Sequence, residues 1–134
     1  MKSFKIIVIL ALALLFSASC FAPGAFREDV DVEGFAGIAA KKDVVLVDVR
    51  TADEFAAGHI EGALNSDWNS EGFLNDVSRQ LQGRRPKLAV YCRGGRRSAA
   101  AADALCAAGY RVYNLSGGIL AWEGAGRAVV PGND

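Results

Sequence analysis

Six residues, Val44 to Val49 (VVLVDV), limit the fold more than any other part of this 134-residue chain. They are almost without break β-branched or aliphatic, as in a strand covered on both faces and unlike one with a solvated side. Leu88 to Tyr91 (LAVY) and Val112 to Leu115 (VYNL) read as two more strands, and Ala63 to Asn65 as a fourth. Helical stretches lie between them. Thr51 followed by Glu54 forms a capping box opening a short helix that Gly58 closes. Phe73, Leu74, Val77 and Leu81 fall on one helical face, with Asn69 or Ser70 as caps and Gly83 as a stop. Ser98 to Ala108 is alanine-rich and ends at Gly109, and Ile119 to Glu123 follows Gly117 and Gly118 as a last short helix. Strands alternating with helices predict an α/β domain, a parallel sheet with helices on both faces. The length suits one such domain.

The amino terminus has a different character. Lys2 and Lys5 precede an apolar run from Ile6 to Phe16, followed by Ser17, Ala18 and Ser19. A basic start, an apolar stretch too short to span a bilayer and a small-residue zone describe a secretory signal peptide over residues 1–19. That predicts an exported protein, periplasmic or in the cell envelope if the source is bacterial. Cys20 then resembles a lipoprotein processing site, although Ser17 stands where an aliphatic residue is usual. Residues 20–29, with Pro23 and Gly24, read as a flexible lead-in.

Fifteen basic and fifteen acidic residues balance, so no global field draws the chain to nucleic acid. Charge that matters must be local, and one place concentrates it. Directly after LAVY stand Cys92, Arg93, Gly94, Gly95, Arg96, Arg97 and Ser98, and then the alanine-rich helix. In open parallel sheets ligands gather beyond the carboxyl ends of strands, where loops enter helices. A cysteine reacts as its thiolate, which nearby arginines and a helix N-terminus favour. Successive amides in a glycine-rich turn make a concave anion site. Cys92 is thus the candidate catalytic residue, with Arg93, Gly94, Gly95, Arg96, Arg97 and Ser98 as the substrate-binding loop. No metal site and no cofactor are expected, because the single histidine, His59, has no partner set. His59 reads as a supporting hydrogen-bonding residue, and Trp68 and Trp122 as core or cleft wall.

At these residues the chain resembles the rhodanese family. CRGGRR resembles its six-residue sulfurtransferase loop, Leu46 to Asn65 its upstream signature, and Leu115 to Gly126 its carboxyl-terminal one. The resemblance covers nearly all of the chain after the signal peptide. It implies a single rhodanese-like domain over residues 30–130 with a five-stranded parallel sheet, followed by a tail at 131–134. It also implies that Cys92 takes a sulfane sulfur from a small donor such as thiosulfate and passes it to cyanide or a thiol through a persulfide. Asp48 and Arg50 match supporting positions, as does Glu54, where charged residues fix structure near the site. Gly94 replaces the usual serine-like residue. A monomer is expected.

Three other readings compete. A cysteine phosphatase needs arginine after five intervening residues, to grip phosphate two-pronged. Here that position is Ser98 and Arg97 comes one residue early. A sulfur carrier or binding module on the same fold would bind without turning over. A redox disulfide between Cys92 and Cys106 is disfavoured, since eight helical residues separate Cys106 from the helix start, about 12 Å along its axis. Bridged Cα atoms lie within about 7 Å, so Cys106 reads as a buried small residue.

Overall fold

The structure is a computed structural model and describes residues 22–133. The expected signal peptide and the Cys20 processing site lie outside the described residues. Five strands form one sheet in the order β1-β5-β4-β2-β3: β1 Phe26–Val30, β2 Val44–Asp48, β3 Leu64–Asn65, β4 Lys87–Tyr91 and β5 Arg111–Leu115. Every pairing is parallel. The helices are α1 Val32–Ala39, α2 Ala52–Ala57, α3 Phe73–Gln80, α4 Arg96–Ala107 and α5 Gly118–Gly124.

The alternation of side chains along β4 divides the interior in two. Leu88, Val90 and Cys92 point to one face, where Phe73 and Val77 of α3 and Ala101, Ala102 and Leu105 of α4 cover them. Ala89 and Tyr91 point to the other, under Phe35 of α1, Phe55 of α2 and Ile119 and Trp122 of α5. Both faces are therefore filled, as the run of apolar residues in β2 predicts. Leu88, Leu105 and Leu115 are wholly buried, each contributing about 1.5–3 kcal/mol by removal from water.

Several boundaries differ from the sequence reading. Phe26–Val30, all but its last residue expected within the flexible lead-in, forms β1 and pairs along its whole length with β5. Its polar residues suit an edge strand: Arg27 pairs with Asp103 at 2.9 Å, and Asn114 donates to Asp29 at 2.9 Å. The chain is fixed in the tail as well, where Gly132 N donates to Ala56 O at 2.9 Å. Helix α1 was not foreseen. Asp31 caps it, its Oδ1 accepting from Gly34 N at 2.8 Å. Helix α3 begins after Gly72 with no side-chain cap, so neither Asn69 nor Ser70 serves as one.

The Thr51–Glu54 capping box is present as expected. No helix among the described residues is long and apolar enough to cross a membrane.

Candidate active site

The chain leaves β4 at Tyr91 and turns at once. Gly95 has φ of +104°, a left-handed conformation that glycine adopts without strain. This residue is the N-cap of α4, so the helix starts at Arg96, two residues before the expected Ser98. The turn curls over the Cys92 sulfur. Gly95 N donates to Sγ at 3.1 Å and Ser98 Oγ donates to it at 3.3 Å. Cys92 and Ser98 are buried, whereas Arg93, Gly94 and Arg96 are exposed. The thiol is only 1% exposed. The closing turn and Ser98 together cover the sulfur.

Burial pushes the Cys92 thiol up, and hydrogen bonds more than offset it. The Ser98 hydroxyl and the backbone amides of Ser98, Gly95 and Arg97 together hold the thiol below its ordinary value. Cys92 is also the free cysteine among the described residues, which excludes a Cys92–Cys106 disulfide. Cys106 is wholly buried.

The loop owes its shape to the carboxyl-terminal glycines. Ile119 N donates to Cys92 O at 2.8 Å and Leu120 N to Arg93 O at 3.1 Å, so the first turn of α5 takes up the loop's outward carbonyls. This approach requires Gly118: a Cβ there would lie 2.3 Å from Arg93 O and 2.6 Å from Cys92 O. Sequence reasoning treated Gly117 and Gly118 as a preface to a helix. The paired glycines were the available signal that two backbones meet there.

At the end of β2, Asp48 and Arg50 form a buried pair. Arg50 Nη2 donates to Asp48 Oδ2 at 2.6 Å, Nε donates to Oδ1 at 3.0 Å, and Nη2 also donates to Gly58 O at 2.7 Å. Asn65 Nδ2 donates to the carbonyls of both residues, at 3.1 and 2.9 Å. The Tyr91 hydroxyl accepts from Ile60 N at 3.0 Å, and burial with the nearby Asp48 charge raises its pKa. Asp48 and Arg50 lie on the sheet side away from Cys92 and brace the turn after β2. The His59 ring stacks on Phe55 and places Nδ1 2.9 Å from Phe55 O, a structural role. Trp122 is buried and donates to Ala128 O, and Trp68 packs edge-on to Phe73.

Arg97 is placed differently from the other two loop arginines. It turns back to Glu54 of α2, with Nη1 on Oε1 at 2.7 Å and Nη2 on Oε2 at 2.9 Å. Among the described residues Arg93 and Arg96 join no salt bridge. No group of three or more His, Cys, Asp or Glu that could hold a metal ion occurs among the described residues.

Fold and loop together define a parallel α/β domain that presents a cysteine sulfur hydrogen-bonded within a glycine-bearing turn. The chain belongs to the rhodanese-like domain family, which matches residues 31–125. A thiosulfate sulfurtransferase GlpE of Shewanella oneidensis is 41% identical over 85 residues, covering 63% of this chain and 80% of that protein. A tRNA uridine(34) hydroxylase of Nitrobacter hamburgensis is 36% identical over 94 residues, but this chain spans only 37% of its length. The crystal structure of a rhodanese-related protein from Thermoplasma volcanium superimposes with a TM-score of 0.62 at 26% identity, covering 78% of this chain and 98% of that one.

Proposed function

We propose that the protein is a sulfurtransferase in which Cys92 carries the transferred sulfur. One observation supports this most directly. The Cys92 sulfur accepts hydrogen bonds from Gly95 N and Ser98 Oγ at the base of a curled loop, a setting that favours the thiolate and leaves no side-chain base necessary. The thiolate attacks the sulfane sulfur of thiosulfate, the sulfur–sulfur bond breaks, and sulfite leaves with the bonding pair. Cyanide or a thiolate then attacks the terminal sulfur of the persulfide and carries it off, and the Cys92 thiolate returns. Electrons balance without an outside oxidant. The similarity to a thiosulfate sulfurtransferase supports the choice of donor class.

The same thiol would also suit a carrier that loads without turning over. Steady-state thiocyanate production from thiosulfate and cyanide separates the two. Sustained turnover is expected, and a single stoichiometric release would assign the carrier role instead.

The basic and apolar residues 2–16 support export of this activity. Protein recovered from its own organism should begin at or near Cys20. Retention of Met1 would reject export, and a lipid mass on Cys20 would add an anchor.

A further inference from the structure

Arg97 is the loop arginine best placed by sequence to grip an anion, yet its guanidinium is engaged by Glu54 in a two-pronged pair. Glu54 is itself fixed. Thr51 N and Oγ1 donate to Glu54 Oε1 at 3.3 and 3.1 Å, and Glu54 N donates back to Thr51 Oγ1 at 3.2 Å. The two groups that donate to the Cys92 sulfur, Gly95 N at 3.1 Å and Ser98 Oγ at 3.3 Å, lie on either side of Arg97 in the chain. A continuous connection therefore runs from the first turn of α2, through two side chains, to the donors around the thiol.

We propose that Glu54 is a positioning residue for sulfur transfer, holding Arg97 so that its neighbours in the loop, Gly95 N and Ser98 Oγ, stay on the Cys92 sulfur. Arg93 and Arg96, exposed and outside any salt bridge among the described residues, are then the cations that meet an anionic sulfur donor. The inference deepens the sulfurtransferase reading and rests on it for the turnover arm of its test.

Geometry and simple electrostatics predict opposite signs here. A carboxylate near a thiolate disfavours it, and one that neutralises an arginine also weakens that arginine's hold on an anion. By charge alone, removing Glu54 should lower the Cys92 pKa and tighten thiosulfate binding, with Asp67 the remaining carboxylate acting on Arg97. By positioning, the loss should raise the thiol pKa and slow transfer.

Glu54→Gln is the variant to use, because glutamine keeps the capping box while giving up the charge-assisted fork. Three measurements on the full chain decide: the pH midpoint of Cys92 alkylation, kcat and KM for thiosulfate, and thermal melting. The midpoint should rise, kcat should fall on the order of tenfold to a hundredfold, KM should change little, and melting should fall only by the few degrees that a part-exposed ion pair contributes at neutral pH. Arg97→Lys keeps the charge without the fork and should follow Glu54→Gln in midpoint and kcat. A lowered midpoint or a lowered KM in Glu54→Gln overturns the proposal. Alkylation requires no sulfur transfer. A wild type without turnover, together with a raised variant midpoint, would remove the sulfurtransferase reading and keep the hold on the loop. Wild-type turnover with an unmoved variant midpoint would remove the positioning role alone.

Discussion

Two strand-to-helix turns lie side by side at the carboxyl end of the sheet, and they spend their polar groups in opposite ways. After β2, the turn satisfies itself. Asp48 binds Arg50, Thr51 and Glu54 cap α2 reciprocally, and Arg50 takes the carbonyl of Gly58. After β4, α4 starts on a glycine with no side-chain cap, and donors of its first turn face a sulfur atom. A helix start that leaves its amides for something other than its own cap is costly unless a ligand uses them. The first turn is built to be stable and the second to hold a thiolate, and the Glu54–Arg97 pair ties the second to the first.

The sharpest way to break this contrast is Asp48→Ala. It leaves the Arg50 guanidinium buried without its carboxylate and should cost about 3–5 kcal/mol in denaturant unfolding. A loss under about 1 kcal/mol would mean that the turn after β2 is not the rigid support described. Gly118→Ala comes next, on the order of 3 kcal/mol, since its Cβ would overlap the Arg93 carbonyl at a φ of +61°. Transfer should fail with it, because α5 could no longer hold the loop carbonyls. A variant of wild-type stability would contradict the close approach.

Smaller effects sharpen the electrostatic side. The Arg97 guanidinium, and the Thr51 donors with it, hold the Glu54 carboxyl at about 2 against its ordinary 4.5. A depressed carboxyl stabilises the fold fully above the unfolded value and loses that contribution as protons bind. Wild-type stability should therefore fall as pH drops from about 4.5 towards 2, and Glu54→Gln should show a shallower fall in acid titration of unfolding. Equal slopes would show that the pair contributes nothing in solution. Ser98→Ala removes one donor to the sulfur and should raise the Cys92 alkylation midpoint with little change in folding. The smallest effect is expected from Gly94→Ala, because a Cβ there meets nothing within 4 Å. Stability should move by a few tenths of a kcal/mol, and a larger loss would mean that the loop mouth is closed in solution.

Much of this was legible in the chain because it is local. VVLVDV announces a doubly covered strand, Thr51 and Glu54 announce their own helix start, and Cys92 with its glycines and arginines announces an anion-holding turn. What escaped depends on contacts between distant segments. The polar strand β1 looks like a linker until β5 lies beside it, since an edge strand carries no apolar alternation to betray it. Arg97 reads as a free cation until Glu54, 43 residues earlier, is brought against it. Gly117 and Gly118 read as a preface to a helix until α5 docks, through Gly118, on the carbonyls of Cys92 and Arg93.

The central claim is that Cys92 alone carries transferable sulfur, and intact-mass measurement after thiosulfate treatment tests it most directly. The wild type should gain the mass of one sulfur, mapped to the Cys92 peptide and removed by cyanide. Cys92→Ser should fold, gain no mass and turn over no thiosulfate. Retained turnover in Cys92→Ser, or a sulfur mapped to any other residue, would contradict the account.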